Sequence, residues 1–181
     1  DNGIGIPRGE EEQIFDEFCR TCFGPAEGPL RRMLRRWGTE FLLSEQELAL
    51  SYRDVAEAMR LAQDPAVRAR VDDYARYVHY IALWFEYQEK KPKTPERVQA
   101  AEAVSRYLWR IYDSAMVHAY RMHVLLANRY ENHDASYRVR WPLSGPAEGV
   151  WQTIAPVSSE ELAKLTAEGQ ARYLALDYEP R

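Results

Sequence analysis

Several features are scarce or absent in this chain, and each absence excludes a class of protein. No run of about 18 apolar residues occurs, so no segment is predicted to span a membrane. Basic residues are not in excess, since 24 Lys and Arg stand against 28 Asp and Glu, for a net charge of −4. The chain therefore lacks the basic surface that nucleic-acid binding requires. We find no signal peptide, internal repeat or low-complexity segment.

Familiar catalytic and metal-binding motifs are missing as well. There is no H-E-x-x-H zinc motif and no serine nucleophile elbow. Cys19 and Cys22 form a lone C-x-x-C pair, which cannot complete a four-ligand zinc site. The pair lies at the C-terminal end of a predicted helix, where the helix dipole opposes thiolate formation. We interpret both cysteines as facing the core, and we predict no metal, no cofactor and no catalytic residue in this chain.

What is present indicates one soluble globular domain built from helices. The chain has 181 residues, of which 46% are hydrophobic and 29% charged, as in ordinary globular proteins. Capping signals and apolar residues at three-to-four spacing predict helices over residues 10–22, 29–37, 44–63, 65 to about 88, 94 to about 130, and 158 to about 176. We predict an all-α antiparallel bundle of five or six helices.

The clearest helix starts are capping boxes and cap-and-proline pairs. Ser44 and Ser158 are each followed three residues later by a glutamate. Asp64-Pro65 and Thr94-Pro95 each place a cap residue before a proline at the first helical position. The linker over 89–93 is short, so the two helices that flank it should be antiparallel neighbours. A kink is expected near Asp113-Ser114 in the long helix that follows.

These patterns divide the chain into three parts. Residues 1–24 form a turn and a helix, interpreted as the end of a preceding domain that is missing here. Residues 25–130 form the core of the bundle. Residues 131–181 form a long ordered loop pinned by Trp141 and Trp151, followed by a last helix that packs on the bundle.

Two polar or aromatic clusters lie on these helices. Four arginines between 31 and 36 alternate with apolar residues, and we interpret them as the solvated side of an amphipathic helix. A second aromatic stripe lies beside the core stripe of the helix that starts at Pro65. Packing against another helix layer is its simpler interpretation. If the stripe faces outward, its four residues are our candidates for carbohydrate binding or a protein interface: Tyr77, Tyr80, Trp84 and Tyr87.

The opening run Asp1-Asn2-Gly3-Ile4-Gly5-Ile6-Pro7 resembles the first glycine box of the histidine-kinase-type ATPases. Residues 14–20 fall where that family has its phenylalanine box. The resemblance implies nucleotide contacts by Asp1, Gly3 and Gly5. The magnesium-binding asparagine, the second glycine box and the strands of that family are missing, however. A turn followed by an amphipathic helix explains the same residues without a nucleotide.

A broader resemblance covers residues 18 to 130 and is carried by three segments. These are Phe18-Cys19-Arg20-Thr21-Cys22-Phe23-Gly24-Pro25-Ala26, Asp64-Pro65-Ala66-Val67-Arg68-Ala69-Arg70-Val71, and Tyr107-Leu108-Trp109-Arg110-Ile111 with Met116-Val117-His118. They resemble the C-terminal helical region of a bacterial domain-of-unknown-function family of glycoside-hydrolase-like, α-glucuronidase-like proteins. In that family a (β/α)₈ barrel precedes the helices and holds the catalytic carboxylates. The resemblance implies a helical appendage that packs on such a barrel, helps it dimerise or walls its cleft.

Three functional hypotheses follow. The first is a non-catalytic helical module of a carbohydrate-active protein, with the missing barrel, a second copy of the chain and carbohydrate as its partners. The second is a remnant of a histidine-kinase-type ATP-binding protein, and the third is a helical protein-interaction domain. We favour the first because it accounts for over 100 residues. The sequence leaves the localisation open, including export from a bacterium as part of a longer chain.

Overall fold

A computed structural model describes residues 9–39, 42–126 and 154–173 of the chain. A 3-10 turn over Gly24–Ala26 joins the first two helices, and no strand occurs within the described ranges. The all-α prediction is therefore confirmed. The α-helices are α1 (Glu11–Phe23), α2 (Glu27–Gly38), α3 (Glu45–Leu61), α4 (Pro65–Gln88), α5 (Pro95–Arg110), α6 (Ala119–Leu125) and α7 (Ser159–Tyr173).

Four helices start where their capping residues predict. In each case the side-chain oxygen of the cap accepts a hydrogen bond from a backbone N–H two or three residues later, at 2.9 to 3.3 Å. These bonds satisfy amide groups that have no partner inside the helix. The four caps are Ser44 of α3, Asp64 of α4, Thr94 of α5 and Ser158 of α7.

The central element is α4, which packs against α1, α3, α5 and α7. Its predicted core stripe is buried at Val67, Val71, Val78 and Ile81 and half-buried at Tyr74 and Phe85. The helices α4 and α5 run antiparallel, as predicted. Arg97, near the start of α5, donates to the hydroxyl of Tyr87 near the end of α4, at 2.7 Å. Further along α5, the hydroxyl of Tyr107 donates to the carbonyl of Arg76, at 3.2 Å.

The single long helix predicted from residue 94 to about 130 is wrong, because α5 ends at Arg110 and α6 begins only at Ala119. The predicted kink near Asp113-Ser114 is a complete break. Tertiary hydrogen bonds replace helical ones here. The carbonyl of Arg110 accepts from the Val157 amide at 3.1 Å, and the Ala115 amide donates to Asp73 of α4 at 3.3 Å. Residues 127–130 of that prediction lie outside the described ranges.

The last helix closes the bundle over α3 and α4. Gly169 of α7 lies against the ring of Tyr52, and a Cβ atom at Gly169 would come within 2.3 Å of that ring. Arg110 binds both carboxylate oxygens of Glu161 at 2.6 Å. Of the predicted loop over 131–157, residues 154–157 are described and Val157 is buried. Trp141 and Trp151 lie outside the described part.

The junction between α1 and α2 is fixed by backbone geometry and one long-range bond. Gly24 has φ +48°, a left-handed value that glycine adopts with the least strain. Arg70 of α4 donates through Nε to the carbonyl of Cys22, at 2.8 Å. Phe23 is buried beside them and stacks edge-on against Tyr74 with ring centroids 5.6 Å apart. The end of α1 is thus anchored to the central helix.

Within the described helices, none has both the length and the apolar character that a bilayer crossing needs.

Candidate functional site

The aromatic stripe predicted on α4 forms a continuous ladder of rings. Neighbouring ring centroids are 5.8 Å apart for Tyr77 and Tyr80, 6.3 Å for Tyr80 and Trp84, and 5.4 Å for Trp84 and Tyr87. Burial divides the ladder, because Tyr80 is 6% exposed and Tyr87 is 1% exposed, whereas Tyr77 and Trp84 are half-buried. The two alternatives weighed for this stripe, core packing and an outward face, therefore apply to different residues.

Neighbouring helices hold both ends of the ladder. Trp37 of α2 packs edge-on against Tyr77, with centroids 5.6 Å apart. The guanidinium of Arg97 lies over the Tyr87 ring, 4.1 Å from its centroid, which is a favourable cation–π distance. Burial also raises the pKa of Tyr77.

A second aromatic surface, which the sequence did not predict, lies where α5 gives way to α6. Tyr112 is 45% exposed and Tyr120 is 50% exposed. Both line an open cleft of about 340 Å³ together with Ser114, Val117 and His118. The prediction of one continuous helix placed these residues at different positions around a helical surface, so it did not bring them together in a cleft. The polar pair Asp113-Ser114 was the available sign of a break.

A further cleft of about 390 Å³ lies between the ends of α4 and α7 and the start of α3. Its walls carry Glu45, Glu86, Glu89 and Arg172. Arg172 and Glu86 form an ion pair at 2.5 Å. The hydroxyl of Tyr173 donates to Glu86 at 3.4 Å, and burial raises the pKa of Tyr173 to about 12. The Arg172–Glu86 ion pair and the Tyr173 hydrogen bond join α7 to α4.

The nucleotide-box residues Asp1, Gly3 and Gly5 lie outside the described ranges. The segment that resembles the phenylalanine box forms part of α1. Within it, Phe15 packs against the core and lies beneath the guanidinium of Arg35, 5.7 Å from its ring centroid. Its neighbours Ile14 and Phe18 are 46% and 44% exposed. The described part of this segment is therefore an amphipathic helix, with one apolar edge turned outward.

The arginine cluster of α2 is an interhelical ion-pair network rather than a freely solvated face. Asp54 of α3 is fully buried, and its carboxylate binds Arg36 at 2.7 Å and Arg32 at 3.0 Å. Glu47 pairs with Arg36 at 3.1 Å, and Glu57 with Arg32 at 2.5 Å. Buried charges of this kind persist when they are paired and hydrogen-bonded. The network joins α2 to α3.

Two partly buried histidines, His79 and His123, are held neutral. The Nδ1 atom of His79 and the hydroxyl of Tyr52 form a hydrogen bond of 2.9 Å. The Tyr107 ring stands edge-on to the His79 ring, with the two centroids 4.8 Å apart. Burial lowers the pKa of His79 to about 4 and that of His123 to about 4. Burial also raises the pKa of Tyr52. Tyr52 and His79 are thus a neutral hydrogen-bonded pair that joins α3 to α4.

The cysteines are free thiols, with Cys19 buried and Cys22 half-buried. Burial raises the pKa of the Cys19 thiol, so it stays protonated at neutral pH. Among the residues that the structure describes, no three His, Cys, Asp or Glu side chains are grouped as metal ligands would be.

Comparison of the chain with protein-family models, curated proteins and solved structures finds no match in any of the three. The relations to α-glucuronidase-like proteins and to histidine-kinase-type ATPases therefore stay predictions.

Proposed function

We propose that this chain is a non-catalytic helical module of a carbohydrate-active, glycoside-hydrolase-like protein, in which it packs on a catalytic barrel. The observation that carries the proposal is the hydrogen bond from Arg70 to the carbonyl of Cys22, at 2.8 Å. Cys22 belongs to the first of the three segments that resemble the family, and Arg70 belongs to the second. Segments 48 residues apart in sequence thus meet at one corner of the bundle.

Residues of these segments lie at buried positions, at a turn and at a helix cap. In the first segment Cys19, Phe23 and Ala26 are at most 1% exposed, and Gly24 occupies the left-handed turn. In the second, Asp64 caps α4 and Val71 is fully buried. A shared helical scaffold would place its common residues at such positions, because they fix helix ends and crossings. This distribution supports a family relation through the scaffold.

The outer edge of α1 offers a place for the barrel. Ile14 and Phe18 lie four residues apart, hence on one helix face, and nearly half of each side chain is exposed. Exposed apolar residues next to each other mark surfaces that pack against another domain. Phe18 itself belongs to the segment that carries the resemblance. The barrel of the same protein is therefore the occupant that we propose for this edge.

Calorimetric titration with plant-wall oligosaccharides, including glucuronoxylan fragments, tests the proposal. We expect saturable binding, and chromatography of the sugar after long incubation should show no hydrolysis. Release of shorter sugars would contradict the non-catalytic assignment.

A parallel titration with Mg-ATP separates the alternatives. Saturable nucleotide binding would contradict the proposal and favour the histidine-kinase-type hypothesis. If neither sugar nor nucleotide binds, the protein-interaction hypothesis is favoured instead.

A further inference from the structure

The open cleft between α5 and α6 is large enough to hold a small ligand. Its volume is about 340 Å³, at the lower end of the range of roughly 300 to 1,000 Å³ that is typical of ligand pockets. Two large aromatic side chains, two polar side chains and short apolar ones form its walls. The residues that matter for the argument are Tyr112, Ser114, Val117, His118 and Tyr120.

The two tyrosines are large, aromatic and about half exposed, and they lie on opposite sides of the break between α5 and α6. Tyr120 is held from behind by Trp109, which is 2% exposed and meets it edge-on at 6.5 Å. A ring fixed in this way offers a contact face at a small cost in conformational entropy. A tyrosine also adds a phenolic hydroxyl at the rim of that face.

The polar groups of the cleft are positioned before any ligand arrives. His118 accepts a hydrogen bond from the Arg121 amide through Nδ1, at 3.3 Å, so neutral His118 carries its proton on Nε2 and can donate from there. The hydroxyl of Ser114 accepts from the Met116 amide at 3.1 Å. The Ala115 amide donates to Asp73 of α4 at 3.3 Å, which ties the wall of the cleft to the central helix.

The charge of the cleft limits the chemistry of its ligand. None of the described residues that line it is Asp, Glu, Lys or Arg. A phosphate or a nucleotide would find no cation there to balance its charge. A pyranose sugar fits better, since its C–H face is apolar and its rim carries neutral hydroxyl groups that donate and accept hydrogen bonds.

We infer that this cleft binds a neutral pyranose unit of an oligosaccharide, which contacts both Tyr112 and Tyr120 and accepts a hydrogen bond from His118. The inference rests on the proposed function, which supplies the oligosaccharide. It places the sugar away from the ladder on α4, where Tyr80 and Tyr87 are buried. The ladder is the competing location, and it provides the matched control.

Titration of the chain with xylohexaose and cellohexaose tests the inference. The variants are Tyr112→Ala and Tyr120→Ala, and the control is Trp84→Ala, which removes a half-buried aromatic from the ladder. We expect each cleft variant to weaken binding by about tenfold, as loss of a central aromatic contact does. Trp84→Ala should bind with the wild-type affinity.

A chemical experiment on the wild-type chain avoids any effect of substitution on folding. Nitration of tyrosines followed by peptide mass mapping should modify Tyr112 and Tyr120 readily, and saturating sugar should protect both. Tyr52 and Tyr87 are internal controls, because each is 1% exposed. Unchanged nitration of the cleft tyrosines under saturating sugar would overturn the inference.

The outcomes distinguish this inference from the proposed function. If the wild-type chain binds sugar, and Trp84→Ala weakens binding while the cleft variants do not, the cleft assignment is wrong and the proposed function stands. If the wild-type chain binds neither sugar, the cleft assignment and the carbohydrate part of the proposed function both fail.

Discussion

Gly169 is the residue at which the last helix comes closest to the core. A Cβ atom at this position would lie 2.3 Å from the ring of Tyr52, and that ring is already stacked on Tyr173 with centroids 5.8 Å apart. We expect Gly169→Ala to lower the free energy of unfolding by about 1–3 kcal/mol, as overpacking does. Urea unfolding followed by circular dichroism measures this change.

Gly28 provides the matched control, because it is a helical glycine of α2 with nothing within 4 Å of its Cβ position. Gly28→Ala should leave the free energy of unfolding unchanged or raise it by up to about 1 kcal/mol, since alanine is the better helix former. Equal losses at both positions would show that the close approach of α7 to α3 is not what decides the effect.

His79 makes stability depend on pH in a defined direction. Its pKa is about 4 in the folded chain against about 6.5 unfolded. Between these values the unfolded state binds a proton that the folded state does not, so stability falls as the pH drops from 6.5 to 4. Since burial dominates over the opposing effect of Glu161, we expect a loss on the order of 3 kcal/mol.

Urea midpoints between pH 7 and pH 4 measure this dependence, and His79→Gln should flatten it. Some slope should persist from His123, whose pKa is also lowered to about 4 by burial. An NMR titration of the His79 ring provides the direct check, and titration near pH 6.5 would contradict the prediction.

At the scale of elements, the carboxylate of Asp54 joins α2 to α3. It is fully buried and binds Arg32 and Arg36. Without the Asp54 carboxylate, Arg36 keeps Glu47 and Arg32 keeps Glu57, but both lose a charged hydrogen bond. Asp54→Ala should therefore lower the free energy of unfolding by about 1.5–3 kcal/mol. Glu57 binds Arg32 from the rim, with 36% of its side chain exposed. Glu57→Ala should therefore cost less than about 1 kcal/mol in the same unfolding assay, and equal costs would contradict the prediction.

Helix starts were predictable because capping is local. Each of Ser44, Asp64, Thr94 and Ser158 satisfies amides within three residues, so a short stretch of sequence contains the whole interaction. The core stripe of α4 was predictable for a similar reason, since periodicity identifies the face that a central helix buries.

The interruption after α5 was predicted near Asp113-Ser114, but only as a kink, because the contacts that make it a complete break are distant in sequence. The carbonyl of Arg110 accepts a hydrogen bond from the amide of Val157, and the amide of Ala115 donates one to the carboxylate of Asp73. The cleft flanked by Tyr112 and Tyr120 depends on this break, so the sequence could not locate it. The difference in burial along the aromatic ladder was not predictable either, because the sequence of α4 does not show that Arg97 of α5 covers Tyr87.

At the scale of the whole molecule, the apolar edge of α1 should favour self-association of the chain. Ile14 is 46% exposed and Phe18 on the same face is 44% exposed, so we expect self-association of the chain at high concentration. Ile14→Glu should shift sedimentation velocity profiles toward the monomer while the thermal midpoint changes little. Leu42→Glu is the control, because Leu42 is 78% exposed and lies outside α1. If both variants dissociate the chain equally, added charge rather than the α1 edge is responsible.

Two contacts between α7 and α4 can form only after α7 has been synthesised. Ser159 donates to Asp72, and Tyr173 donates to Glu86, and in both pairs the partner was made 87 residues earlier. At translation rates of about 5 to 20 residues per second, the nascent α4 waits roughly 4 to 17 seconds for these partners. During that interval the side of α4 that faces α7 lacks its native contacts.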